Sequence, residues 1–259
     1  MAKDNLSAEA ITRDLETVFI GQRVLYFSSL TSTMEIAGEQ ARQGAAEGTV
    51  IIAGEQTEGR GRLRRAWVTP EGNIALSVIL RPELSCLPSL IMLASLAVVG
   101  SIESVTGLRA QIKWPNDVLI GGKKVCGILI ENDLQGNRVN YSVVGIGIDV
   151  NLRLADFPKI QPIATSLSDE LGGEVSRLEV IRRLLVAMER SYFVLSEGGS
   201  LYEEWRDNLV TLGKNVRVKE GDSVHEGVAE TVGQDGSLLV RGADGGLTKI
   251  VAGDVSLGN

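Results

Sequence analysis

Short apolar runs and amphipathic stretches alternate along the first 210 residues, and this pattern predicts a mixture of strands and helices. The runs typical of strands are residues 23–29, 50–53, 73–80, 111–114, 118–120, 125–131 and 141–150. The helical patterns are residues 5–20 with Ser7 as N-cap, 34–43 with Gly44 as C-terminal cap, 88–105, 177–196 and 200–210. Gly121-Gly122 separates two strand-like runs and predicts a hairpin with antiparallel pairing. Together these elements favour an α+β fold, with a mixed β-sheet flanked by helices.

The pattern changes after Gly213, where short alternating runs of apolar and polar residues are separated by closely spaced glycines. This segment predicts a small all-β module, a partly open barrel, that follows the helical part of the chain. We therefore expect two domains, residues 1–211 and residues 212–259.

Composition and charge narrow the class of protein. The chain has 259 residues, of which 44% are hydrophobic and 23% charged, as in ordinary folded globular proteins. Its net charge of -7 argues against general nucleic-acid binding, which needs a basic surface. The apolar run at 90–99 is shorter than the ~20 residues of a membrane span, and the N-terminus shows no secretory pattern. We expect a cytoplasmic protein that binds neither DNA nor a membrane.

Few residues are suited to metal binding or to histidine catalysis. Cys86 and Cys126 show neither a pairing pattern nor metal-ligand spacing, and we interpret both as thiols that fill the core in a reducing compartment. His225 is the one histidine of the sequence. A structural zinc site and a histidine base are therefore not expected, and the sequence indicates no metal-binding residues.

An arginine-rich segment, Gly59-Arg60-Gly61-Arg62-Leu63-Arg64-Arg65, lies between two predicted strands. It places four guanidinium groups within seven residues and has no carboxylate among them. Arginine suits phosphates and carboxylates, and glycine lets backbone N–H groups approach a ligand closely. The segment is consistent with an anion-binding loop and also with a solvated basic loop.

A second polar segment, Lys113-Trp114-Pro115-Asn116-Asp117, follows a predicted strand. Asn116 and Asp117 fit ordinary turn chemistry as well as ligand binding. Lys124 begins a strongly apolar strand. It either protects a strand edge from aggregation or points into a cleft, where it supplies a cation to a reacting phosphate.

Two known nucleotide loops are excluded by their spacing. Gly121-Gly122-Lys123-Lys124 lacks the spacing and the hydroxyl residue of a Walker loop. Gly145-Ile146-Gly147 lacks the third glycine of a dinucleotide fingerprint. A nucleotide site in this chain must therefore be of another type.

Five segments together resemble the biotin protein ligase family, in the family's order and approximate spacing. They are Ser32-Thr33, Gly54-Glu55-Gln56 running into residues 59–62, residues 113–117, residues 124–131 and Gly145-Ile146-Gly147-Ile148. The resemblance is strong over residues 26–150 and looser at the β-rich end, which is similar to the family's small SH3-like C-terminal domain. About 25 residues precede the part that resembles the catalytic core, so the monofunctional form without an N-terminal DNA-binding domain is expected.

The resemblance implies an ATP-dependent ligase that works in two steps. Biotin and ATP give biotinyl-5'-adenylate and pyrophosphate, and the biotinyl group then passes to a lysine of a biotin carboxyl carrier protein. Biotin and ATP are the implied substrates, Mg2+ is the expected ion, and a homodimer is one assembly that the resemblance allows. Biotin's carboxylate is ionised at neutral pH, so its attack on the α-phosphate needs no base, but bringing two anions together needs cations.

Site residues are implied position by position. The implied biotin-binding residues are Ser32, Thr33, Met34, Gln56, Arg60, Gly61, Arg62, Lys124 and Gly127. The implied ATP- and adenylate-binding residues are Arg60, Arg62, Arg65, Trp67, Lys113, Asn116, Lys124, Gly147 and Asp149. The implied catalytic residues are Lys124, Arg60 and Asp117, of which Lys124 stabilises the reacting phosphate and Asp117 receives the acceptor lysine's proton or helps Mg2+. Trp67 fits a core aromatic as well as a ligand contact.

Three positions depart from the family pattern. Met34 stands where the family often has asparagine, and Leu63-Arg64 stands where another basic residue followed by glycine is usual. Asp149 occupies a position commonly held by an asparagine that contacts adenine. A carboxylate accepts a hydrogen bond but cannot donate one, so ATP affinity is the property that this change affects most.

Three alternative functions stay open. A lipoate or octanoyl ligase shares the adenylate strategy, although residues 60–62 together with 113–117 favour biotin. A biotin-responsive repressor needs a DNA-binding domain, and a silent module binds biotin without releasing pyrophosphate. In each case the four like charges in residues 59–65 disfavour a compact empty state, so we expect this loop to become ordered when ligand binds.

Overall fold

The computed structural model describes residues 6–258. Over these residues, the larger sheet has seven strands in the order β1-β2-β3-β7-β6-β5-β4. Its strands are β1 (Val24–Leu30), β2 (Val50–Gln56), β3 (Ile74–Leu80), β4 (Gln111–Lys113), β5 (Asp117–Ile120), β6 (Lys123–Gln135) and β7 (Arg138–Ile148). β1 and β2 run parallel and the other neighbouring strands pair antiparallel, which confirms the predicted mixed sheet.

Helices cover both faces of this sheet. They are α1 (Ala8–Thr12), α2 (Thr33–Arg42), α3 (Leu90–Thr106), α4 (Leu167–Leu171), α5 (Arg177–Ser196) and α6 (Tyr202–Asp207). Side chains alternate between the two faces along a strand, so Leu76 and Val78 of β3 join the core cluster that contains α3 and α5. Ile79 instead joins the cluster that contains α2. The site lies on the face that α2 covers only in part.

Local signals placed most elements correctly. Gly121 and Gly122 have φ values of 58° and 82° and connect β5 to β6, which confirms the predicted hairpin. Gly44 has a φ of 86° just after α2, as expected of a C-terminal cap. Residues 59–65 lie between β2 and β3, so the arginines are on a strand-to-strand loop as predicted.

The prediction for the first helix was wrong in length. α1 ends at Thr12, and Asp14 has a φ of 56°, which a continuing helix does not allow. Farther along, the backbone N–H groups of residues 18–20 donate to the buried carboxylate of Glu189, a contact distant in sequence that replaces helical bonds. Ser7 does cap α1, since its Oγ accepts from Ala10 N at 3.1 Å. Residue 5, where the prediction began, lies outside the described residues.

The helix predicted at 200–210 is also shorter in the structure. α6 ends at Asp207, because the backbone then pairs with β4. Ile112 N donates to Asn208 O and Val210 N donates to Ile112 O, both at 2.9 Å. The short helix α4 had no counterpart in the sequence prediction.

A second sheet forms the end of the described chain and confirms the predicted all-β module. Its strands are β8 (Asn215–Glu220), β9 (Ser223–Val232), β10 (Leu238–Arg241), β11 (Leu247–Ile250) and β12 (Asp254–Leu257), in the antiparallel order β11-β10-β9-β8-β12. The second sheet packs against the part of the chain that contains the larger sheet. There, Trp114 Nε1 donates to Gly236 O at 2.8 Å. Buried residues of both sheets belong to one core cluster. The division at residue 211 stays a prediction.

Two features of composition can now be placed. The segment Leu84–Thr106, which includes α3, is long and apolar enough to cross a membrane, but 61% of the tested window is buried inside the protein. α3 packs beside α5 in the core. Both cysteines are free; Cys126 is fully buried and Cys86 lies half-buried against the same core, as predicted.

Candidate active site

A cavity of about 580 Å³ opens on the α2 face of the large sheet. Its floor is a row of small residues on three neighbouring strands, since Gly147 of β7 pairs with Ala75 of β3 and with Gly127 of β6. A side chain at Gly147 would collide with the indole of Trp67, and one at Gly145 with the thioether of Met34. Glycine therefore lets these two large side chains lie directly on the floor.

Buried polar residues at the start of α2 form the second part of the cavity. Ser32 and Thr33 are each 3% exposed. Thr33 donates to Gln56 Oε1 through its backbone N at 2.8 Å and through its hydroxyl at 3.1 Å, and Ser77 Oγ donates to Thr33 Oγ1 at 2.9 Å. Ser32 is the N-cap of α2 but does not use its side chain to cap the helix. These hydroxyl and amide groups give the cavity hydrogen-bonding specificity next to an uncharged floor.

The arginine loop, residues 59–65, closes on itself. Gly61 N donates to Arg65 O at 2.8 Å and Trp67 N donates to Gly59 O at 2.7 Å. Leu63 at the tip has a φ of 54°, a left-handed conformation that disfavours leucine. This strain falls at the position where the family pattern departs, and it makes the tip the least favourable part of the loop backbone.

Other protein groups contact the guanidinium groups of Arg60 and Arg62. Arg60 lies 3.7 Å from the carboxylate of Glu131, and both side chains are about half exposed. Arg62 donates to Asn116 Oδ1 at 2.9 Å and to Gly253 O at 3.2 Å. Burial lowers the pKa of Arg62, and nearby carboxylates oppose that change. The loop therefore contacts anionic and polar oxygens of the protein itself.

Lys124 lines the cavity, and its role as the cation beside a reacting phosphate stays a prediction. Its Nζ lies 2.5 Å from Asp117 Oδ1 and 5.1 Å from the centre of the Trp67 ring. The second distance fits a cation–π contact. Lys113 lines the same cavity, and its pKa is lowered chiefly by burial. Two ammonium groups thus add to the positive charge of the loop.

Asn116 and Asp117 lie at a turn and also line the cavity. Asn116 Nδ2 donates to Ile128 O at 2.8 Å, which holds the turn, while its Oδ1 accepts from Arg62. Asp117 begins β5, and its carboxylate faces Lys124. The turn chemistry therefore positions groups that also contact the cavity.

Asp149 is a buried acidic residue of the cavity, and its burial affects its pKa. It is 4% exposed, and Asn73 Nδ2 donates to its Oδ1 at 3.2 Å. Burial raises the pKa of Asp149 to about 8, although the charge of Lys124 acts in the opposite direction. Burial therefore favours the protonated form of this carboxyl group, and that form can donate one hydrogen bond as well as accept. The expectation that this position affects ATP affinity stays a prediction.

All of the residues predicted for the site line this one cavity. They are Ser32, Thr33, Met34, Gln56, Arg60, Gly61, Arg62, Arg65, Trp67, Lys113, Asn116, Asp117, Lys124, Gly127, Gly147 and Asp149. The structure thus brings them together, whereas their individual roles stay predictions.

The sequence prediction missed two groups of cavity residues. Residues 160–164 contribute apolar side chains beside Lys124, because Lys124 N donates to Ile163 O at 2.9 Å. Asp254 and Leu257 come from β12 of the second sheet. Neither group carries a motif, and a separation of 189 residues between Arg65 and Asp254 leaves no local signal.

Comparisons with known proteins agree with this geometry. The family model described as the biotin/lipoate A/B protein ligase family matches residues 26–149, and the model for the biotin protein ligase C terminal domain matches residues 211–258. The solved structure "Biotin protein ligase from Aquifex aeolicus in complex with biotin and ATP" is similar with a TM-score of 0.79 and 29% identity. That similarity covers 91% of this chain and 98% of that one.

Two curated relatives are similar over most of their length. The bifunctional ligase/repressor BirA of Bacillus subtilis (strain 168) is 39% identical, over 98% of this chain and 79% of the relative. The biotin--[acetyl-CoA-carboxylase] ligase of Paracoccus denitrificans is 36% identical, over 75% of this chain and 85% of the relative. The resemblance identified from five sequence segments is confirmed, and the chain belongs to the biotin protein ligase family.

Proposed function

We propose that the protein activates biotin with ATP and attaches the biotinyl group to a lysine of a biotin carboxyl carrier protein. The Paracoccus denitrificans relative is named for ligation of biotin to acetyl-CoA carboxylase, and the Aquifex aeolicus structure contains biotin and ATP. The observation that carries the proposal is the single cavity, which joins an uncharged glycine floor, a buried polar cluster and several cations. Its volume of about 580 Å³ is typical of small-molecule sites.

Biotin is held by the floor and the polar cluster. Its ureido group needs both donors and acceptors, which Ser32, Thr33 and Gln56 supply from a buried position. Its apolar ring and chain lie against Met34 and Trp67, the two side chains that contact the glycine floor. Arg60, Gly61 and Arg62 then face its carboxylate end.

The first chemical step joins two anions. A carboxylate oxygen of biotin attacks the α-phosphorus of ATP, a new O–P bond forms, and the bond to the β-phosphate breaks to release pyrophosphate. Lys124 and the arginine loop offset the negative charge that builds up on the phosphate oxygens. Asn116 and Asp149 complete the nucleotide site, where a protonated Asp149 presents a donor and an acceptor much as an amide does.

The second step transfers the acyl group. The acceptor lysine must lose a proton before its nitrogen attacks the acyl carbon, after which the bond to AMP breaks. Asp117 is the carboxylate we assign to receive that proton, since it lies beside Lys124 with a side chain 21% exposed. Lys124 in turn stabilises the AMP phosphate that leaves.

Mg2+ fits this site as part of the ATP complex. Within residues 6–258, no group of three His, Cys, Asp or Glu side chains is arranged to hold a metal ion. The cavity carboxylates Asp117 and Asp254 are paired with Lys124 and Arg65. Mg2+ commonly binds through substrate phosphates and few protein groups, so it enters with the nucleotide as substrate.

A lipoate ligase is the second candidate, because the first family model covers biotin and lipoate ligases together. Two observations favour biotin. The biotin protein ligase C terminal domain model matches residues 211–258, and the buried cluster around Thr33 and Gln56 suits a ureido group better than a dithiolane. A site built on hydrogen bonds rejects an analogue that lacks those groups.

Exchange of labelled pyrophosphate into ATP tests the proposal directly. Biotin should support exchange at least about 100-fold faster than lipoate or octanoate, because only biotin satisfies the polar cluster. Equal or faster exchange with lipoate would contradict the assigned substrate. Biotin binding without any exchange would instead indicate a silent biotin-binding module.

The cellular setting follows from the proposed substrates. We propose a cytoplasmic location, since the reaction needs ATP and a carrier protein, and the net charge of -7 favours neither DNA nor a membrane surface as partner. The homodimer allowed by the family resemblance stays a prediction, which the mass of the protein in solution tests.

A further inference from the structure

One carboxylate of the cavity comes from the second sheet. Asp254 begins β12, lines the cavity and forms an ion pair with Arg65 of the arginine loop. The carbonyl of the preceding residue, Gly253, accepts a 3.2 Å hydrogen bond from Arg62. Residues 253 and 254 therefore connect the second sheet to Arg62 and Arg65 of the arginine loop.

The charge of Asp254 acts on three cations. Besides its contact with Arg65, it opposes the lowering of pKa that burial imposes on Arg62 and on Lys113, with Asp117 acting in the same direction. A phosphate bound in the cavity would face these same cations. The carboxylate of Asp254 thus lies among the cations that the phosphates of a bound ligand would contact.

The ion pair between Asp254 and Arg65 lies close to solvent, so Arg65 can exchange Asp254 for another anion. The side chain of Arg65 is 67% exposed and that of Asp254 is 28% exposed, and ion pairs this close to solvent contribute little. Phosphate oxygens bind guanidinium groups with more charge and better geometry than a single exposed carboxylate. Incoming phosphates therefore displace Asp254 rather than share the arginine with it.

Other cavity pairs differ in where their carboxylate lies. Asp117, the partner of Lys124, and Glu131, the partner of Arg60, both belong to the large sheet. The pair with Asp254 instead links the loop to the second sheet. Loss of this pair would remove one of the contacts that tie the loop to that sheet, beside the hydrogen bond from Arg62 to Gly253 O.

We propose that Asp254 is an internal counter-ion of the arginine loop, which holds Arg65 in the empty site and yields it to the phosphates of ATP. The inference rests on the proposed function, since ATP is the anion concerned. Asp254 orders the loop before ligand binds, and it also competes with the nucleotide. Nucleotide binding thereby removes the charged contact between the loop and the second sheet.

Asp254→Asn tests this role, since it removes the charge and keeps the size. Asp222→Asn is the matched control, because it makes the same charge change in the exposed turn between β8 and β9. In biotin-dependent pyrophosphate exchange, Asp254→Asn should lower the KM for ATP about 2- to 5-fold at unchanged kcat, the range expected for an exposed ion pair. Trypsin should also cut residues 60–65 of the ligand-free variant faster than in wild type. Asp222→Asn should change neither quantity.

Each other outcome counts against the counter-ion role. A higher KM for ATP, a changed kcat, or cleavage no faster than in Asp222→Asn would overturn it. A wild-type chain that shows no biotin-dependent exchange would overturn the proposed function, and with it the role given to ATP. A wild-type chain that does exchange, beside an Asp254→Asn variant that behaves like the control, would overturn the inference alone.

Discussion

The glycine floor and the arginine loop are both rich in glycine, yet the residue serves a different purpose in each. In the floor, Gly145 and Gly147 are buried in paired strands, and their missing side chains make room for Met34 and Trp67. In the loop, glycines alternate with arginines between two strands, and the tip residue Leu63 is exposed and strained. The floor fixes shape and the loop supplies charge.

This difference suggests that the floor and the loop bind different parts of the substrates. Paired strands cannot adapt their shape cheaply, because each backbone group is already hydrogen-bonded in the sheet. Exposed ion pairs can exchange their partners at low cost. We therefore expect floor substitutions to act on biotin, and loop or cation substitutions to act on the phosphates.

The largest effect should come from Lys124→Ala. Loss of the cation that faces the reacting phosphate should reduce adenylate formation about 100- to 1000-fold, the range for removal of one electrostatic contact to the transition state. The fold should stay intact. Lys123→Ala is the control, because it removes an exposed lysine one position earlier in β6 and should leave the rate nearly unchanged. Retained turnover in Lys124→Ala would remove the lysine from the mechanism.

Gly147→Ala should have the next largest effect. The added methyl group meets the indole of Trp67 and must displace it from the floor. We expect biotin-dependent exchange to fall about 10- to 100-fold, mostly through a higher KM for biotin, since a misplaced binding group is costly.

Gly173→Ala is the matched control, because a methyl group there meets no atom within 4 Å. It should leave exchange and stability close to wild type. If Gly147→Ala raised the KM for ATP and left the KM for biotin unchanged, the assignment of the floor to biotin would be wrong.

Asp149→Asn should have the smallest effect on activity and a distinct effect on stability. The folded pKa of Asp149, about 8, lies above the ordinary value of 3.8. Its contribution to stability is therefore fully present below the ordinary value and is lost as pH rises through the folded one. The asparagine does not titrate, so wild type should lose stability relative to it between these limits, by up to about 1.4 kcal/mol per pH unit.

Urea unfolding of both proteins at several pH values measures this difference. The two stability curves should diverge from about pH 5 to pH 8 and run parallel at higher pH. A difference that does not vary with pH would mean that Asp149 is ionised in the folded protein. Its place beside the floor would then be occupied by a charge.

Local signals explain what could be predicted from the sequence. The hairpin at Gly121-Gly122, the N-cap at Ser7 and the loop position of Arg60 and Arg62 each depend on residues close in the chain. The site residues predicted from the family motifs likewise line one cavity of the structure. Motifs of this kind record which residues meet a ligand without describing how they pack.

Contacts distant in sequence explain what could not be predicted. Glu189 draws residues 18–20 out of a helix with its buried carboxylate. Asp254 reaches Arg65 from the second sheet, and burial raises the pKa of Asp149. In each case the decisive partner or environment exists only in the folded chain.

Transfer of biotin to a carboxyl-carrier domain, followed by mass spectrometry of that domain, is the direct test of the proposed ligase activity. With biotin and Mg-ATP, the carrier should gain the mass of one biotinyl group on one lysine, and omission of ATP should prevent the gain. The same reaction with Lys124→Ala should leave the carrier unmodified over the same time. A carrier that gains no mass from the wild-type protein, or gains it without ATP, would contradict the account.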